Sequence, residues 1–207
     1  MTKEDLLKQT AQNAYNIGFG VKKHFATFDM IEKLPGILSF LSITIGIFAL
    51  FVDALNIKHI SAILIVFGII SIYISKYDDK KNEYASIGSK YLSSFDELKI
   101  LYSSVKNSSS TDFNSEISKL NKIKKDFNEN SISKQMIISD WYAHYKFLWQ
   151  SSSDIKWIVE ELNLTTFKDK LPLSFMVSIV VIIIAICYFF VNNFCCIQLA
   201  TTILTRQ

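Results

Sequence analysis

Between Leu34 and Ser75 the chain carries two uncharged apolar runs, parted only by the seven-residue polar patch Asp53–His59. A third uncharged run starts at Leu171. Leu34–Val52 covers about 28 Å as a helix at about 1.5 Å per residue, close to a hydrocarbon core of about 30 Å. Ile60–Ser75 is shorter, about 24 Å by the same rise, and spans if Lys76 and His59 snorkel while Tyr73 and Tyr77 sit at the interface. A hairpin buried in a soluble protein is the competing reading, but three such runs are hard to hide in 207 residues. The runs therefore predict an all-α membrane protein: an N-terminal amphipathic helix (1–33), a two-span hairpin (34–52 and 60–75), a cytoplasmic helical bundle (76–170), a third transmembrane helix (171–193) and a tail (194–207).

Lysine placement sets the expected orientation. Five lysines precede the first run, one lies in the hairpin loop, fifteen separate the second run from the third, and Arg206 is the lone arginine. By the positive-inside rule the N-terminus and the middle segment are expected in the cytoplasm, and the C-terminus outside. The first 33 residues lack the apolar core and cleavage site of a signal peptide, so the first run is expected to stay in the bilayer. A net charge of +3 carried almost wholly by lysine argues against a nucleic-acid partner.

Outside the apolar runs the periodicity is helical. Leu7, Ala11, Ala14, Gly18, Val21, Phe25 and Phe28 recur at steps of three and four, on one face of a helix over residues 3–32. Its small residues suit close packing on another helix, and a lead-in lying on the membrane surface fits equally. Pro35 suits the first turn of a new helix. The middle segment has no proline and one glycine, Gly88. It predicts a helix continuing out of the second run to about Val105, a break at Asn107–Asp112, and helices over Glu116–Phe127, Ser133–Gln150 and from Ser152 or Ser153 through Leu162.

The chemistry is sparse. Asp140 and His144 stand one turn apart, as a metal or acid–base pair would, and a surface pair is the simpler reading. Glu160 and Glu161 are adjacent and face apart. No phosphate-binding, dinucleotide-binding or zinc-protease motif occurs. The chain is therefore expected not to be an enzyme and to hold no cofactor and no metal. Cys187, Cys195 and Cys196 cluster in or beyond the third run and make no disulfide framework. Trp141, Tyr145 and Trp157 belong to a dense aromatic cluster, in which Trp141, Tyr145 and Leu148 share a helical face. That cluster is either the bundle core or a headgroup-level belt, or a site for a partner or flat ligand.

The apolar runs hold the more useful pattern. Ser39, Ser42, Gly46, Ala49 and Asp53 form one stripe on the first; Ser61, Gly68, Ser71 and Ser75 form another on the second. Such stripes permit close helix approach and hydrogen bonding across helices, or wet a narrow pore when several hairpins assemble.

This arrangement resembles the SLATT family, bacterial two-transmembrane effector modules of nucleotide-second-messenger and related anti-phage systems. The resemblance covers roughly residues 10–170. It rests on Asn16–Phe28 leading into the two runs, then the helix through Tyr84, Tyr91 and Leu98, with Trp157–Pro172 similar to subfamilies that add a hydrophobic segment. It implies a membrane-disrupting effector that forms homo-oligomers in the lipid bilayer after a signal from a sensor protein or nucleotide second messenger. The family brings no catalytic residues. A membrane-anchored binding, immunity or scaffold module is the alternative.

Overall fold

A computed structural model describes residues 1–52, 58–130, 132, 134–165, 172–184 and 187–188, except for the side chain of His59. Asp53 and the rest of the patch through Ile57, Cys195, Cys196 and the tail lie outside the described residues, as do Lys168, Lys170 and the end of the third run. Every element among the described residues is helical: α1 (Lys3–Ala49), α2 (Lys58–Ser75), α3 (Lys81–Asn107), α4 (Asn114–Glu129), α5 (Ser139–His144), α6 (Lys156–Leu162) and α7 (Leu173–Ile184). The chain divides into two units, Met1–Leu164 and Thr165–Gln207. In the second, α7 is a short apolar helix with Cys187 exposed beyond it.

In the first unit α1 is the spine. It starts on a capping box, in which the Asp5 amide donates to Thr2 Oγ1 (3.1 Å) and the Thr2 amide to the Asp5 carboxylate (3.3 Å). Its bundle half lies antiparallel to α3. Lys3 Nζ donates to the carbonyls of Lys106 (2.9 Å) and Ser108 (2.6 Å), placing a cation on the carbonyl end of α3. Glu32 meets Lys81 (2.6 Å) at the other end of the pair. Ala11, Ala14, Gly18 and Val21 of the expected apolar face are buried, and Leu7, Phe25 and Phe28 are half-buried.

Gly18 allows the closest approach. A Cβ there would lie 2.7 Å from the Phe147 ring and 2.8 Å from that of Phe95, so any side chain forces the core apart. Phe147 reaches this spot from a π-helical turn, Tyr145–Gln150, closed by the Ser151 amide on the Lys146 carbonyl (3.0 Å). Leu120 and Ile123 of α4 and Ile155 and Ile158 of the α6 region complete the core.

Expected boundaries are corrected at four places. The second helix, α2, ends at Ser75 and a separate α3 starts at Lys81, where one helix was expected to continue, and α6 starts at Lys156, past the caps expected at Ser152 or Ser153. Pro35 does not open a helix; α1 runs through it. Proline removes one backbone donor, but Ile31, Leu34 and Leu38 on both sides of it pack on one cluster with Ile74 and Tyr73, which keeps the helix in register. The helix expected from Ser133 starts only at Ser139, because Ile138 adopts a left-handed φ of 73°. That conformation is rare for a β-branched residue, and backbone strain of this kind costs about 1–3 kcal/mol. Elsewhere, α4 lies within two residues of the expected span at both ends, and α3 ends two residues past Val105.

Candidate functional site: the apolar arm and its polar foot

Past Pro35, α1 leaves the core. Ile37, Phe40, Ile43, Ile47 and Phe48 are exposed, with Phe40 at 69% and Phe51 beyond them at 81%. α1 is long and apolar enough to cross a membrane, and only 6% of its most apolar segment is buried, unlike the core helix of a soluble protein. Ile63, Ile65, Val66, Ile69 and Ile72 of α2 are likewise exposed. α2 reaches spanning length only together with the helices after it, across a bend of 41°. The two helices touch near the arm's foot, through Leu34, Leu38, Tyr73 and Ile74.

Of the expected stripes, Ser39, Gly68 and Ser75 are exposed, and Ser42, Gly46 and Ser71 half-exposed. Among the described residues, no atom beyond their own helix backbone lies within 4 Å of a Cβ built on Gly46 or Gly68. Ser71 Oγ donates to the Phe67 carbonyl (3.0 Å) and Ser75 Oγ to that of Ile72 (2.9 Å), each within its own helix. The stripes are open surface on a single chain.

The foot of the arm is polar and tightly bonded. Asp29 receives Lys33 (2.9 Å) and Lys146, whose ammonium also lies over the Tyr142 ring (4.5 Å). Burial pushes the Asp29 carboxyl up, but the two ammonium groups outweigh it and hold it below the usual carboxylate range. Thr27 Oγ1 donates to Gln135 Oε1 (2.7 Å), and Gln135 Nε2 lies 3.4 Å from His24 Nε2. His24 Nδ1 pairs with the Gly20 carbonyl (2.8 Å), which assigns the ring proton to Nδ1. Burial lowers the His24 pKa, which favours the neutral ring. Tyr84 donates its hydroxyl to the Lys134 carbonyl (2.5 Å), and the Ile137 amide donates to Tyr73 (3.1 Å). Sequence reasoning missed this foot. Only the Asp29–Lys33 pair, four residues apart on one helix, carries a local signal.

The family model described as SMODS and SLOG-associating 2TM effector domain 6 matches residues 1–179. The chain belongs to the SLATT family. No curated protein and no solved structure matches it. Membership makes this SLATT protein a membrane effector of defence systems, and α1, which carries the exposed arm, is long and apolar enough to cross a membrane.

The other expected sites are separated by the fold. Trp157 stacks on Tyr102 at 4.5 Å and lies near Phe95 at 6.4 Å, inside the SLATT bundle, with its buried Nε1 unpartnered. Tyr145 is 58% exposed and Trp141 half-buried. Leu148 is buried and does not share Tyr145's face, because the π-helical turn shifts the spacing that would align them. Asp140 is taken by Lys23 of α1 (2.7 Å), and His144 packs on Phe19 (4.6 Å), its pKa lowered by burial. A cavity of about 190 Å³ opens beside Gly18, walled by Lys22, Asp96, Lys99 and Asp154; none of the three expected aromatic residues lines it.

Proposed function

We propose that the protein is a pore-forming or membrane-disrupting effector of an anti-phage abortive-infection system. Several copies assemble through the Ser39/Ser42/Gly46 and Gly68/Ser71/Ser75 stripes in the bacterial inner membrane, the N-terminus and bundle cytoplasmic and the C-terminus outside. A sensor protein or nucleotide signal upstream releases the assembly, and ion leakage halts the cell. No catalytic step is required of the chain. The observation that carries this reading is the unfilled space around Gly46 and Gly68 on helices whose other faces are apolar and exposed. Small residues with open space around them among the described residues suit the approach of a second chain.

That same space makes the test clean. For Gly46→Leu and Gly68→Leu the added Cβ has open space among the described residues, so membrane insertion and bundle stability are expected to persist while toxicity and membrane depolarisation in expressing cells disappear. Full toxicity in both variants would exclude assembly through these stripes.

A rival reading, a membrane-anchored binding, immunity or scaffold module without pore activity, draws on the cavity beside Gly18 and on exposed Tyr145. It expects no depolarisation under any activating condition.

A further inference from the structure

The segment Lys134–Ile138 gives up local preferences to place two isoleucines outward. Met136 turns inward and is buried with Ile31, Ile74 and Tyr84. The next two residues turn out: Ile137 is 69% exposed and Ile138 51%. Ile138 caps α5 in the left-handed region without a side chain able to cap. Ser139, an ordinary cap, instead donates its hydroxyl to the Met136 carbonyl (2.7 Å). Broken local rules of this kind mark function more often than chance.

The segment is fixed at the level where the arm begins. Its Ile137 amide is bound to Tyr73, within the last turn of α2, and the Lys134 ammonium lies over the Tyr77 ring (5.2 Å). Ile138 lines a groove of about 400 Å³ with Met30, Leu34 and Ile37 of α1, and Asp29, Lys33 and Tyr142 supply its polar lining. Leu34 and Ile37 open the exposed apolar run of α1, so the groove is continuous with the arm. Tyrosines and lysines beside apolar surface are the side chains that settle at a membrane–water interface.

We propose that Ile137 and Ile138 form a lipid-contacting wedge that seats the bundle on the bilayer, with phospholipid acyl chain occupying the groove against Leu34, Ile37 and Ile138. The inference rests on the membrane reading of the arm. It adds a third contact outside both apolar helices and ties the bundle's position to the membrane surface.

The test uses the full chain in vesicles of phosphatidylethanolamine and phosphatidylglycerol. Cys187, Cys195 and Cys196 are replaced by serine, and an environment-sensitive fluorophore is attached at Ile137→Cys, Phe40→Cys or Ser110→Cys. The Ile137 label is expected to emit blue-shifted from the Ser110 label and to be quenched by shallow nitroxide lipids, with Phe40 quenched from deeper positions. Ile138→Cys repeats the measurement at the neighbouring site. An Ile137 label emitting like Ser110, beside a Phe40 label in lipid, overturns the wedge and leaves the membrane reading standing. A blue shift without lipid quenching assigns the surface to a second copy of the chain and also overturns it. A Phe40 label in water removes both readings.

Discussion

Gly18 and Gly46 lie on one continuous helix and face opposite conditions. At Gly18 two phenylalanine rings come within 3 Å of the place a Cβ would take; at Gly46 nothing among the described residues beyond its own helix backbone lies within 4 Å. The bundle half of α1 is finished within the chain: its small residues are spent on contacts with α3 and with Phe147. The arm half is unfinished, with apolar side chains uncovered and small residues unused. An apolar surface of this extent is uncovered only until lipid or another chain meets it. The same residue type is therefore packed against its own chain in one half and left open in the other.

The largest expected effect probes the finished half. Phe147→Ala removes a ring that is 1% exposed and sits over Gly18. It is expected to destabilise the bundle by about 3–5 kcal/mol, read by thermal unfolding of the full chain in detergent. A loss near zero would show that α1 and the π-helical turn are not packed as described.

The next effect sets the two halves against each other. Gly18→Ala forces a methyl group into the rings of Phe95 and Phe147 and is expected to cost about 1–3 kcal/mol. Gly46→Ala meets no atom and gains helix propensity, by about 1 kcal/mol in an exposed helix, so unfolding in detergent is expected to be unchanged or slightly later. Equal destabilisation by the two would erase the contrast. A Gly46→Ala loss seen only in vesicles would sharpen it, by showing that the arm's contacts form between chains.

How much of this was legible in the sequence follows the same divide. Ala11, Ala14, Gly18 and Val21 announced a buried face because their spacing is local, and the charge-free run after Lys33 announced exposure to something other than water. The family resemblance was readable for the same reason: it rests on the order of apolar and amphipathic segments. The foot of the arm was not readable. Asp29 with Lys146, Tyr84 with Lys134, and Thr27 with Gln135 are pairs far apart in the chain, and no periodicity links them. Pro35 and Ile138 misled in opposite directions. Proline usually marks a helix start, yet packing on both sides carries α1 through it. Isoleucine usually extends a helix, yet at 138 it stops one. The shared face of Tyr145 and Leu148 was misread because one π-helical turn moved Leu148 away from it.

The smallest expected effect is a pH dependence centred on His24. The ring is buried at the foot against Tyr84 and Tyr91 of α3, with Lys23 beside it, Gly20's carbonyl on Nδ1 and Gln135 near Nε2. Burial lowers its pKa from 6.5, and the Gly20 carbonyl offsets only part of that shift. As the pH falls through the ordinary value, the unfolded chain takes up a proton that the folded chain refuses, so acid favours unfolding. Stability is thus complete above the unfolded pKa, declines below it, and stops declining once the folded ring also protonates. His144, lowered by burial in the same direction, adds to the slope. Thermal unfolding followed from about pH 8 to about pH 5 should show the decline, and His24→Gln should flatten it. If His24→Gln leaves the slope intact, His24 is not the titrating group and the foot is wetter than its packing indicates. If the slope shrinks in the variant to the part that His144 carries, the remainder of the proton uptake is assigned to the junction where the finished half of α1 gives way to the unfinished one.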